Sequence, residues 1–184
     1  LVPKPYLLGV PDPSPLMLAV YRDDAEQVER LLSVGPDLDV FEAAALGRIE
    51  RLRELLDADP ELARARSVDD GTALHFAAFF RQPEATRLLV ERGAELEAVA
   101  STFGNVTPLH SACASGERES ARILLEAGSD ASARQQGGFT PLHAAAQNGD
   151  EELARMLLAR GADPEAATDD GRKPRDLGLA ELLA

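Results

Sequence analysis

The chain has 184 residues, 45% hydrophobic and 28% charged, which fits a single globular domain and excludes a wholly disordered, collagenous or coiled-coil chain. Acidic residues outnumber basic ones 32 to 19, and the net charge of -13 repels a phosphate backbone, so no nucleic acid is expected as a partner. A lone cysteine, Cys113, rules out an intrachain disulfide scaffold, and the longest apolar run near the N-terminus, Leu16 to Tyr21, falls far short of the roughly 20 residues of a membrane span.

The first 15 residues contain five prolines, so residues 1–13 read as an extended lead-in. No basic stretch followed by an apolar run opens the sequence, which makes the cytoplasm the expected compartment. Ser14-Pro15-Leu16-Met17-Leu18-Ala19 then leads to Leu31-Leu32 as a first pair of helices. A second pair starts near Leu38, where Asp39-Val40-Phe41-Glu42-Ala43-Ala44 runs through Gly47 to Leu55-Leu56. The two starts are only 24 residues apart, which predicts a tight turn at Gly35 to Leu38.

From residue 72 the chain repeats itself. Thr72-Ala73-Leu74-His75, Thr107-Pro108-Leu109-His110 and Thr140-Pro141-Leu142-His143 recur at spacings of 35 and 33, and Lys173-Pro174-Arg175-Asp176 follows after another 33. The pairs Leu89-Val90, Leu124-Leu125 and Leu157-Leu158 keep phase with them, as do Gly93, Gly128 and Gly161. Each residue has a local task. Thr caps the first helix, Pro follows where no amide partner is lost, and His three residues on reaches back to the cap as Glu or Gln does in a capping box. Small residues such as Ala144-Ala145-Ala146 let neighbouring helices pack closely, while Leu153, Met156 and Leu157 form the apolar stripe of a second helix that ends at Gly161.

These strings resemble the ankyrin repeat, a unit of about 33 residues with a Thr-Pro-Leu-His signature, over about residues 14 to 184. The resemblance implies an all-α solenoid of stacked helix-turn-helix units with short β-hairpin fingers. Units are expected to start near 14, 38, 72, 107 and 140, with a truncated C-terminal cap from 173, all in one domain over 14–184. Between Ser14 and Leu38 there is no room for the family's extended finger. The connection from Gly93 to Thr107 is two residues longer than that from Gly128 to Thr140, so the finger around Ser101 to Asn105 should protrude furthest. Arg175 and Gly178 depart from the pattern in the last unit, as a polar terminal cap would. Asp23 and Arg81 stand where other units have Gly47, Gly116 and Gly149.

No catalytic, metal or cofactor residue is expected. His75, His110 and His143 open helices that lie one repeat apart, about 8–10 Å, whereas nitrogens sharing a zinc each lie about 2.0–2.1 Å from it. His110 and Cys113 share a helix face at i and i+3, yet Cys113 occupies the small position held by Ala78 and Ala146 and reads as a packed thiol. The acidic pairs Asp23-Asp24, Asp69-Asp70, Glu151-Glu152 and Asp169-Asp170 match no cation loop and read as solvated surface. No nucleophile elbow, Walker loop, dinucleotide fingerprint or HExxH is present.

The expected function is therefore non-catalytic protein–protein interaction, with a regulatory or inhibitory role towards a separate enzyme as the alternative. The resemblance implies a concave face of first helices and finger tips. In that pattern the two residues after the small pair point into the groove: Tyr21-Arg22, Ala45-Leu46, Phe79-Phe80, Ala114-Ser115 and Gln147-Asn148. Phe79 and Phe80 are the expected centre, with Phe103, Asn105 and Phe139 extending it along the fingers, and one of the two adjacent rings, Phe80 in particular, is a candidate for packing under a finger. The acidic charge suggests a partner with a basic surface, and a monomer is the default state.

Overall fold

The first helices of the stack start where a side chain accepts a backbone amide of the same turn. The structure is a computed structural model that describes residues 13–183. The Pro-rich lead-in expected over residues 1–13 lies, apart from Pro13, outside the described residues. Ser14 accepts the Met17 amide at the start of α1 (Pro15–Tyr21), and Asp39 accepts the amides of Phe41 and Glu42 at the start of α3 (Val40–Ala45). The cap thus falls at Asp39, within one residue of the start expected near Leu38. Glu42 takes the part of the missing histidine by accepting the Asp39 amide at 3.1 Å.

Histidine does this at α5 (Ala73–Phe79), α7 (Pro108–Ser115) and α9 (Pro141–Gln147). Nδ1 of His75, His110 and His143 accepts the amides of Thr72, Thr107 and Thr140 at 3.1, 3.3 and 3.1 Å. The remaining proton therefore sits on Nε2. That atom donates across to the next finger, to the Val106 carbonyl from His75 and the Arg172 carbonyl from His143. One ring thereby closes a helix start and ties two repeats together. Such a ring must stay neutral.

Each first helix pairs with a second one: α2 (Ala25–Ser33), α4 (Ile49–Ala58), α6 (Pro83–Glu91), α8 (Arg118–Ala127) and α10 (Glu151–Ala159). The first helices stack in one row, closed by the short α11 (Pro174–Leu177), and α4, α6, α8 and α10 stack in a second. Ala43-Ala44, Ala77-Ala78, Ala112-Cys113 and Ala145-Ala146 are buried between the rows, with Leu52, Leu56, Leu74, Leu89, Leu109, Leu124, Leu142, Leu153 and Leu157 filling the core. Ala at the close approaches and Leu in the wider spaces give interior packing density.

The turn inside each pair needs a left-handed residue. Gly47, Gly116 and Gly149 supply it, and Asp23 and Arg81 adopt the same conformation at φ of 54° and 62° despite their side chains. Residues 34–39 connect α2 to α3 with no finger. Later connections form fingers. Ser67, Gln135 and Thr168 each donate their amide to the carbonyl four residues on, whereas the corresponding bond runs from Ala100 to Val106. The two extra residues are taken up in the tip as a 3-10 turn at Ser101–Phe103. Neighbouring fingers are stitched together: Ser101 donates its amide and hydroxyl to Asp70, Gln136 its amide to Gly104, and Asp169 its amide to Gly137.

At the C-terminal end Gly178 lies against the Ala146 carbonyl, where a Cβ would collide with backbone. Glycine there is what lets the short α11 dock on α9.

Candidate functional site

Side chains that follow the small pair emerge where α1, α5, α7 and α9 end. None of these four helices carries an acidic or basic residue. Among α1, α3, α5, α7 and α9 the one carboxylate is Glu42, which is buried and accepts the Ser14 hydroxyl at 2.5 Å, while the closing α11 carries Arg175 and Asp176. Among the described residues the exposed carboxylates therefore lie on the second helices, the turns and fingers and the closing α11, not on α1, α3, α5, α7 or α9.

Phe79 is 42% exposed, whereas Phe80 is half-buried. The Phe80 ring lies 5.7 Å from Tyr21 and 5.2 Å from Phe79, edge-on to the latter. Adjacent helical residues diverge by about 100°, so only one of the two can follow the inward stripe. Beneath them Phe76 is buried, with Tyr21 at 6.4 Å and Phe41 at 5.9 Å, both edge-on. Such pairs add about 0.5–1.5 kcal/mol beyond their buried area. Phe76 and Phe41 were outside the sequence expectation, although aromatic residues in three successive first helices are a readable sign that the rings meet.

Several expected site residues have another occupation. Tyr21 is half-buried, and its hydroxyl donates to Asp69 Oδ2 at 3.1 Å, tying the first unit to the finger at 66–72. Phe139 is half-buried at 5.3 Å from the His143 ring, and the Arg172 guanidinium sits 5.3 Å above its centroid. Its position is at the base of two fingers. The Ser115 hydroxyl donates to the Ala78 carbonyl and the Asn148 amide to the Cys113 carbonyl, one repeat back in each case. Their polar atoms stitch repeats. Arg22, Phe103, Asn105 and Gln147 are exposed, and Leu46 is half-buried. Phe103, at 38% exposure, leans towards Gly71, close to Phe76.

The titratable groups are held by burial and by ion pairs. Burial pulls His75 down to about 4 and lowers His110 and His143 as well. It pushes the Cys113 thiol up, with the Asp150 charge adding to the effect. Hydrogen bonds from Arg172 and Thr168 hold Asp170 near 2. A buried protonated thiol is a poor nucleophile. Among the described residues no three His, Cys, Asp or Glu side chains gather as a metal site, and no helix is long and apolar enough to cross a membrane.

A family model described as ankyrin repeats, in three copies, matches residues 16–100, 40–135 and 99–168. The chain is 32% identical over 125 residues to ankyrin repeat and SAM domain-containing protein 6 of Mus musculus, covering 64% of this chain and 14% of that protein. It is 38% identical over 102 residues to ankyrin repeat domain-containing protein SOWAHD of Homo sapiens, covering 52% of this chain and 32% of that one. A third relative, palmitoyltransferase Hip14 of Drosophila melanogaster, is 33% identical over 108 residues, or 57% of this chain and 17% of the relative. The match thus spans a third or less of each relative's length.

Proposed function

The chain belongs to the ankyrin repeat family, and from that premise we propose that it binds a partner protein, in the cytoplasm, through its first-helix face and fingers with Phe79 at the centre. Ankyrin repeats generally bind other proteins and typically do no chemistry themselves. The observation that carries the reading is Phe79, a large apolar side chain 42% exposed on a row of helices that presents almost no charge. Exposed aromatic side chains beside well-packed neighbours are the composition of binding hot spots. Phe80 supports the ring from below, and Leu46, Ala114 and Gln147 continue the face to either side. The acidic residues of the fingers suit a partner with basic residues at its rim, where they would speed encounter more than they tighten the complex.

The test is capture from the source organism with the wild-type chain and with Phe79→Ala. Phe79→Ala should fold normally and weaken capture by at least about 1 kcal/mol. Loss of folding, or capture unchanged in the variant, would count against the assignment.

A second reading is that the domain positions or regulates a separate enzyme. It draws on relatives whose names are those of enzymes, a palmitoyltransferase and a probable E3 ubiquitin-protein ligase, and which match over 17% and 21% of their lengths. An enzyme among the captured proteins, with activity altered by the added domain, would favour it.

A further inference from the structure

A cavity of about 200 Å³ opens between α1, α3 and the finger at 66–72. Met17 and Phe76, both buried, are among its lining, as are Tyr21, Phe41 and the exposed Val68. Drug-sized ligands occupy clefts of about 300–1,000 Å³, so this volume suits a single side chain and not a whole small molecule. Asp39 and Asp69 also line it. Neither is in an ion pair among the described residues. Arg66, the cation at the same opening, is already engaged: it donates to the carbonyl and carboxylate of Asp70 in its own finger and to the Val99 carbonyl beside the next one. The cavity is thus apolar inside and negative at its edge.

The geometry points to a peptide-anchor pocket: an extended segment of the partner protein inserts one bulky apolar side chain, of Leu, Ile, Met or Phe type, while an adjacent Lys or Arg meets Asp39 and Asp69. Charge complementarity selects this occupant over an acidic or purely apolar one, because a basic neighbour gives both carboxylates a counter-charge as they lose water. The inference deepens the binding reading above and rests on it, since the pocket lies on the same first-helix face, towards its N-terminal end.

The experiment is selection of a phage-displayed random-peptide library on the full chain, with Val68→Trp and Val68→Lys as comparators. Both changes fall on an exposed finger residue, so the stack should fold unchanged. Val68→Trp fills the opening and Val68→Lys repels a basic neighbour. Expected are peptides that pair a bulky apolar residue with Lys or Arg within two positions, whose affinity falls about tenfold or more on either substitution. Asp69→Asn, which keeps an acceptor for Tyr21, should weaken the same peptides and flatten their salt dependence. No enrichment, enrichment of acidic peptides, or affinity unchanged by Val68→Trp would overturn the pocket. A dimer that Val68→Lys dissolves would assign it to a second copy and overturn it equally. Failure here with capture still dependent on Phe79 would leave the binding face standing, whereas enriched peptides with capture indifferent to Phe79 would remove Phe79 and keep the pocket.

Discussion

Acid should weaken the stack before its carboxylates titrate, because its histidine caps are neutral by construction. Nδ1 of His75 accepts the Thr72 amide and Nε2 faces the Val106 carbonyl, so a second proton would break the cap. Burial holds this group at about 4 in the folded chain, against 6.5 for the free side chain. Between those values the unfolded chain binds more protons than the folded one, so stability rises with pH. The contribution is complete above about 6.5 and is lost as pH falls towards about 4. At 1.36 kcal/mol for each pH unit of that window, His75 alone accounts for about 3 kcal/mol. His110 and His143 shift in the same direction. Against a total of about 5–15 kcal/mol for an ordinary domain, this is a large share. Urea melts followed by circular dichroism, at a series of pH values from about 7 to about 4.5, give the slope directly. The variant His75→Gln keeps an acceptor for the Thr72 amide yet does not titrate, so its slope should be visibly shallower. A free energy that stays flat across this range, or equal slopes for the two proteins, would refute the reasoning.

Other substitutions probe the same architecture. Leu124→Ala, at a fully buried position in the middle of the stack, should cost about 2–5 kcal/mol in denaturant melts, whereas Val34→Ala, 79% exposed, should stay within about 0.5 kcal/mol. Gly149→Ala should cost about 1 kcal/mol through backbone conformation alone, because φ is +65° and a Cβ there meets nothing within 4 Å. Gly178→Ala should cost more and increase amide exchange in α11, since its Cβ meets the Ala146 carbonyl. A thiol reagent should label Cys113 only at the rate of unfolding, as the thiol is buried and its ionisation suppressed.

The fold was readable where a residue acts on its own neighbours in sequence. Thr72, Thr107 and Thr140 each cap within three residues, so the helix starts could be located from the sequence alone. The start expected near Leu38 falls at Asp39, where the cap is set by Asp39 and Glu42 in place of a Thr-His pair. The left-handed turns at Asp23 and Arg81 were marked only by the glycines of sister units. What escaped notice depends on register between repeats. Ser115 and Asn148 reach carbonyls 37 and 35 residues back. The Arg172 guanidinium over Phe139 likewise joins two fingers. Val68, one apolar residue in a polar finger, gains meaning only when α1 and α3 stand opposite it.

The most direct test of the binding face is site-specific photo-crosslinking in the source organism, with benzoylphenylalanine at position 79 and, separately, at position 34. Both sites are exposed, at 42% and 79%, so accessibility alone favours position 34. Position 79 should give a discrete adduct with a partner protein and position 34 none. Adducts from position 34 with none from 79 would contradict a binding face centred on Phe79.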